Sequence, residues 1–429
     1  MNTRYYILSI FFSLITVLVS QVSAAEKPAT KDEAEELFAS HKQSIFQIRV
    51  IELATGNKAA IGSGFLIDSQ GHIATNFHVV SNLVHQPKRY RLEYATVEGV
   101  TGELSLIDID VVHDLAITKS SITETQPLSL GNKKLSKGTR IFSLGNPHDL
   151  GLSVVEGTYN GFLEKSLFDK IFISGSLNPG MSGGPTLDHD GKVIGINVST
   201  AGNQLSFLVP VKFLKPLLKH VTSQIEKESK TLQQRIEEQL LAHQDSFLKK
   251  LLETKWETTE LGPFKLPGSI DPIFKCWGDS DTNEDSLMEH AYSNCFSEDQ
   301  IYLEQQFTTG GMAYTYDLYR SKGISSLHFY NLYSTEFGRT IRVNSVKKEQ
   351  LSNYDCHVDF VKLADKDWKM STCARQYLKF PSLYDVAMSV ALVSETDVGL
   401  IVQFVIAGVS KDISLKLIDK FLSHIAWQK

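Results

Sequence analysis

From Ser44 to about Leu218 the chain runs in short apolar stretches broken by turns. Ile45-Phe46-Gln47-Ile48-Arg49-Val50, Gly64-Phe65-Leu66-Ile67, Ile171-Phe172-Ile173, Val193-Ile194-Gly195-Ile196 and Phe207-Leu208-Val209 have strand length and strand chemistry. Asp68-Ser69-Gln70-Gly71, Gly145-Asn146-Pro147 and Asp190-Gly191 separate such runs with turn-forming residues. Evenly spaced short strands of this kind predict an all-β barrel or sandwich.

The period changes between about Leu217 and Glu257, where Gly and Pro are absent. Steps of four and seven place Val221, Ile225, Leu232, Ile236, Leu240, Phe247 and Leu251 on one helical face. A helical linker is expected over 219–257, its apolar stripe laid against a neighbouring domain or pairing between subunits of a homo-oligomer. Residues 258–429 open with Gly262-Pro263 and Pro267-Gly268, and alternating aromatic stretches between Phe307 and Phe337 predict antiparallel strands. With a closing amphipathic helix over Ile413–Trp427, this is a second, α+β domain. The apolar run Val398–Val409 reads as a core strand, too short for a membrane helix.

The first residues address compartment rather than fold. Arg4 precedes an apolar run, Ile7–Val19, and Val22-Ser23-Ala24 offers small residues at a cleavage site. Residues 1–24 read as a secretory signal peptide, which implies a periplasmic or secreted protein with no membrane span after its removal. A polar segment, 25–43, follows, with a short helix expected over Asp32–His41.

Composition adds bounds. The chain has 429 residues, so two or three domains are expected, and 42% hydrophobic with 21% charged residues is a globular balance. A net charge of -6 without a dense basic block disfavours nucleic acid and anionic membranes as partners. Cys276, Cys295, Cys356 and Cys373 all lie in the C-terminal domain, and export permits disulfides. Three connectivities are open, nearest-neighbour pairing being preferred because each bond would staple one local loop. Spacings without close ligand pairs argue against a metal site, and nothing calls for a cofactor.

Chemistry concentrates in three segments. Ile73-Ala74-Thr75-Asn76-Phe77-His78-Val79-Val80 follows Gly62-Ser63-Gly64, Asp114-Leu115-Ala116-Ile117 comes next, and Asn178-Pro179-Gly180-Met181-Ser182-Gly183-Gly184-Pro185 is third. Hydrolysis by a serine needs a base, an acid to orient it, and donors for the oxyanion. Ser182 fits the nucleophile, His78 the base and Asp114 its orienting acid, with the Gly180 and Ser182 N–H groups as oxyanion donors. The order His, Asp, Ser is the chymotrypsin-like one, and the all-β pattern agrees with it. His113 and His148 lie near these segments without a triad role.

Residues 44–216 resemble trypsin-like proteases of the HtrA/Deg type. Leu144-Gly145-Asn146-Pro147 and Ser206-Phe207-Leu208-Val209-Pro210 match further family landmarks beside the three triad segments. The resemblance implies a trypsin-like domain, 44–218, of two six-stranded β-barrels with the active site between them. It also implies a specificity pocket with Ser176 at its base and walls from Asn197, Val198, Ser199 and Phe207. No carboxylate stands at these positions, so with Met181 and Phe207 nearby the pocket is expected to favour small or medium aliphatic residues over Arg or Lys. Two departures stand out: Met181 replaces the usual Asn or Asp before the nucleophile, and 258–429 lacks a recognisable PDZ carboxylate loop. The expected function is endopeptidase cleavage of protein substrates through an acyl-enzyme, in extracytoplasmic proteolysis or quality control. The rival is a pseudoprotease, using the barrels and the C-terminal domain for docking.

Overall fold

In the computed structural model, residues 32–200, 202, 204–223, 230–281, 283–338 and 347–428 are described, with only the backbone of Ser199 and Thr200. The expected signal peptide and Ile225 lie outside them. Helix α1 (Glu33–His41) is capped by Asp32, whose carboxylate accepts from the Ala34 N–H.

Alternating runs then wind into a first barrel. It contains β1 (Ile45–Glu52), β2 (Lys58–Leu66), β3 (His72–Thr75), helix α2 (Phe77–His85), β4 (Tyr90–Ala95), β5 (Thr101–Asp110) and β6 (Leu115–Lys119). A second barrel contains β7 (Arg140–Gly145), β8 (Ser153–Phe162), β9 (Ile171–Ser174), β10 (Pro185–Leu187), β11 (Val193–Thr200) and β12 (Leu205–Pro210). Both sheets close, in the orders β1-β2-β3-β6-β5-β4 and β10-β11-β12-β9-β8-β7, so neither leaves a free edge. The mainly β architecture of two six-stranded barrels is therefore as expected.

The linker is two helices rather than one. Helix α3 (Val211–Thr222) folds back on the barrels, and α4 (Leu232–Glu253) starts at a capping box formed by Thr231 and Gln234. Ile236 and Leu240, at one end of its buried face, pack with the first barrel, and Leu248 and Leu251, at the other, with the C-terminal sheet. Of the apolar stripe, Ile236, Leu240 and Leu251 are thus buried within the chain, as expected of a helix laid against neighbouring domains.

The C-terminal region comprises β13 (Thr258–Leu261), β14 (Phe264–Pro267), β15 (Phe274–Asp281), β16 (Met288–Ser297), β17 (Ile301–Glu304), β18 (Phe307–Thr309) and β19 (Met312–Ser321). Helix α5 (Ser326–Phe337), β20 (Asp355–Leu363), β21 (Lys366–Gln376), β22 (Tyr384–Leu392), β23 (Val398–Val409), α6 (Lys411–Ser423) and β24 (Ala426–Trp427) complete it. Seven strands form one antiparallel sheet, β15-β16-β19-β23-β22-β21-β20. The closing helix ends earlier than its pattern predicts, because Ala426 and Trp427 leave it to pair with β14.

This sheet is open, and a disulfide joins each edge strand to its neighbour. Cys276–Cys295 and Cys356–Cys373 link directly opposed residues of the hairpins β15–β16 and β20–β21, the nearest-neighbour pairing. Among the described residues no helix is long and apolar enough to cross a membrane.

Candidate active site

The first barrel holds His78 and Asp114. Chain leaving β3 turns into α2, which puts His78 in the first helical turn. Asp114 occupies the tight turn before β6 with a φ of 55°, an uncommon conformation for a residue with a side chain. Four hydrogen bonds hold that turn to the start of α2, one of them from the Phe77 N–H to the Asp114 carbonyl at 3.2 Å. The Asp114 carbonyl accepts from Asn76 Nδ2 at 2.8 Å, one carboxylate oxygen accepts the His78 backbone N–H at 2.8 Å, and the other meets His78 Nδ1 at 2.7 Å. A carboxylate at Nδ1 selects the tautomer with its proton there, leaving Nε2 as an acceptor. Burial pushes the imidazole pKa down, but the charge and hydrogen bond of Asp114 outweigh it and leave His78 above its ordinary value.

The second barrel presents Ser182 on a turn too crowded for ordinary side chains. Gly180 has a φ of 96°, and a Cβ there would lie 2.3 Å from the Asn146 carbonyl oxygen. The obstacle is thus the neighbouring loop rather than a substrate carbonyl. Gly183 has a φ of 86°, and its Cβ would meet the Ser63 carbonyl oxygen at 2.2 Å. Pro179 directs its carbonyl to the His148 N–H at 2.8 Å. A trans peptide sets C=O and N–H on opposite sides, so the Gly180 N–H points away from His148. Among the described residues neither the Gly180 nor the Ser182 N–H has a protein acceptor.

Ser63, unassigned in the sequence reading, ties the two barrels at this turn. Its N–H donates to the Ser182 carbonyl at 2.7 Å and its hydroxyl to the Gly180 carbonyl at 2.7 Å. Its position inside Gly62-Ser63-Gly64 is the one local signal for this role. Ser182 Oγ donates to the Val198 carbonyl at 3.2 Å, and no hydrogen bond joins it to His78. Val198 lines one cavity together with His78 and Asp114.

The expected pocket residues divide. Val198 faces the cleft, Ser176 is exposed, and Phe207 is half-buried against Phe172 across β12 and β9. Asn197 does not line a pocket. It is fully buried, donates to the Leu144 carbonyl at 3.0 Å and accepts from Thr186 Oγ1 at 2.7 Å, bracing the nucleophile turn from beneath. Met181 is likewise inside, packed with Ile141, Ile173 and Leu208, so it cannot give the pocket its apolar character. The Ser199 side chain lies outside the described residues. His113 pairs with Asp110 at 2.7 Å and stacks on Phe213.

One residue from the far end of the chain completes the site. The Tyr302 ring meets the edge of His78 with centroids 5.9 Å apart, and its hydroxyl lies 3.4 Å from Ser81 Oγ on α2. Among the described residues, Asp188, His189 and Asp190 are near enough together to offer metal ligands, but Asp188 already accepts the Asp190 and Lys192 N–H groups.

Residues 62–196 match the family described as trypsin-like peptidase domain. The chain is 30% identical over 186 residues to Protease Do-like 1, chloroplastic, of Arabidopsis thaliana, covering 40% of this chain and 40% of that protein. It is 33% identical over 162 residues to Serine protease HTRA1 of Xenopus laevis, covering 35% and 34%. A solved serine endoprotease from Yersinia pestis aligns with a TM-score of 0.40 and 22% identity, over 44% of this chain and 67% of that one. The chain thus spans less than half the length of those two sequence relatives.

Proposed function

For a chain that carries a trypsin-like peptidase domain of the HtrA/Deg type, we propose serine endopeptidase activity on protein substrates, exercised after export. The observation that carries this reading is the grip of the Asp114 carboxylate on both the Nδ1 and the backbone N–H of His78, beside the Ser182 turn. His78 Nε2 takes the Ser182 hydroxyl proton as Oγ attacks the scissile carbonyl, and Asp114 stabilises the imidazolium so formed. The Gly180 and Ser182 N–H groups receive the oxyanion. Collapse expels the amine with the proton held by His78, and water hydrolyses the acyl-Ser182 by the reverse relay. Rotation about the Ser182 Cα–Cβ bond, between staggered positions, must first bring Oγ from Val198 to His78.

Residues 1–24 act in this reading as the export signal, leaving Ala25 as the mature N-terminus, and the working compartment is the periplasm or the exterior. The pocket of Ser176, Val198 and Phe207 has no carboxylate and accepts small or medium aliphatic residues. A role in extracytoplasmic proteolysis or quality control follows from that location.

Incubation with casein, alongside a Ser182→Ala control, tests the proposal. Cleavage by the native protein alone is expected, rising with pH through a limb above 6.5 because the raised pKa of His78 must be passed before Nε2 is free. The Ser182 hydroxyl turned to Val198 is the observation that favours the docking alternative. Equal inertness of both proteins would establish that alternative.

A further inference from the structure

Tyr302 does not touch His78 by the accident of a loose loop. The segment Asp299–Leu303 is fastened to both barrels. Upstream, the Asp299 carboxylate accepts from Ser166 Oγ at 2.7 Å, the Leu167 N–H at 2.7 Å and Lys170 Nζ at 2.6 Å, all on the loop between β8 and β9. Asp299 is mostly buried, and those three donors outweigh burial to keep it a carboxylate. Downstream, the Leu303 carbonyl accepts from His85 Nε2 at 2.9 Å, at the end of α2. Behind the hairpin β17–β18, Thr309 bonds the buried hydroxyl of Tyr377 at 2.8 Å, and Phe307 packs tilted against the same ring. Ile301, Leu303 and Phe307 are buried in one cluster with Val80 and Val84 of α2.

This braced segment closes a cavity of about 310 Å³ over His78, Asp114 and Val198. Val111, Phe168, Ile301 and Tyr302 make its walls largely apolar. The volume is at the small end of ligand pockets and suits one bulky side chain. It differs from the expected specificity pocket, since neither Ser176 nor Phe207 lines it.

We propose that Gln300–Tyr302 of the C-terminal region is a fixed wall of the substrate cleft, and that Tyr302 sets a preference for a bulky apolar residue, such as Leu or Phe, at a second substrate position beside the scissile bond. The proposal rests on Ser182 and His78 being the reacting pair. Tyr302 acts as a specificity residue: its ring supplies the contact, and its hydroxyl only steadies the ring on Ser81. Turnover of peptides that fill the second position with Leu or Phe should therefore exceed that of Gly-bearing counterparts by at least about tenfold.

The test uses fluorogenic peptides built on the casein sites, each carrying Leu, Phe or Gly at the positions flanking the cut. The native protein should show the tenfold preference at one position. Tyr302→Ala should lose it through the Leu and Phe peptides, with Gly peptides nearly unchanged, and Tyr302→Phe should restore it. A rise for all peptides alike in Tyr302→Ala would overturn the proposal in favour of an inhibitory contact. A uniform fall with a lowered melting temperature would overturn it in favour of simple structural support. The same peptides titrated into Ser182→Ala and Ser182→Ala/Tyr302→Ala proteins give a readout without turnover. Equal affinity for Leu and Gly peptides in both would sink the wall independently. Cleavage that persists in Ser182→Ala would sink the nucleophile assignment, and leaves the binding comparison to judge Tyr302.

Discussion

The two barrels have the same number of strands and unequal relations to the rest of the chain. The second barrel has an interior cluster of its own, from Ile141, Tyr159, Ile173, Ile194, Leu208 and their neighbours, and shares the rest of its core with the first barrel, α1 and α3. The cluster around Phe46, Ile48 and Phe77 of the first barrel continues into Ile236 and Leu240 of α4 and Leu303, Tyr377 and Phe380 of the C-terminal region. Polar contacts repeat the pattern. Gln239 of α4 accepts from the Val111 N–H and donates to the Ile109 carbonyl, both at 2.8 Å, just before the Asp114 turn. The proposed nucleophile and oxyanion donors belong to a barrel packed mainly by its neighbours in sequence, whereas the proposed base and its acid belong to one packed also by residues much later in sequence. The C-terminal region therefore packs its apolar residues chiefly against the first barrel and reaches the second at the β8–β9 loop.

The largest effects should ignore this asymmetry. Ser182→Ala and His78→Ala should each keep the fold and lower peptide cleavage by about 10⁴–10⁶, and Asp114→Asn by about 10⁴ through the wrong imidazole tautomer. Steady-state kinetics would check them, and a variant retaining most turnover would remove its residue from the machinery.

Stability should reveal the asymmetry next. Phe380 is 1% exposed within the shared cluster, so Phe380→Ala should cost about 3–5 kcal/mol. Hydrogen exchange should quicken more in β3–β6 than in β7–β12. Equal acceleration in both barrels would erase the distinction drawn above.

Gly180→Ala probes the second barrel. Its Cβ cannot coexist with the Asn146 carbonyl at 2.3 Å, so the turn must move and carry the Gly180 N–H with it. Losing one oxyanion donor should lower kcat by about 10²–10³.

The smallest effect is on acid stability. His243 of α4 stacks on Phe168, and burial, aided by His113, lowers its pKa to about 4 against the opposing pull of Asp110. Between 6.5 and 4 the unfolded chain binds a proton that the folded one refuses, so stability falls as pH drops through that window. The contribution is at most about 3 kcal/mol. Urea melts of His243→Phe should show a shallower acid limb than the native protein, and identical slopes would rule out this residue.

What the sequence reveals and what it hides follow from the range of the forces involved. Strands, the cap at Asp32 and the triad segments are local patterns, set by side-chain alternation and by a few fixed residue types, and they are legible. Side-chain direction at a bulged strand is less so. The pairing of β11 and β12 shifts register between Asn197 and Ser199, which turns Asn197 inward and Val198 to the cleft. Met181, adjacent to Ser182 in sequence, likewise points into the barrel, from a turn where no strand alternation indicates its side. The early end of α6 depends on β14, a partner more than a hundred positions away, and so leaves no local mark. Tyr302 is the extreme case. Nothing around it distinguishes it from the other aromatics of its stretch, and its contact with α2 spans 221 positions.

The shared cluster of the first barrel also bears on how this molecule ages. Many proteases carry regulatory regions that can be clipped away to leave an unrestrained catalytic fragment. Here a nick that releases the chain beyond α4 would strip Leu303, Tyr377 and Phe380 from the cluster that backs α2, and with them the support of His78. The surviving fragment would keep an intact nucleophile turn and lose the register of its base. On the proposed reading, damage to the C-terminal region would therefore disarm the molecule rather than unleash it.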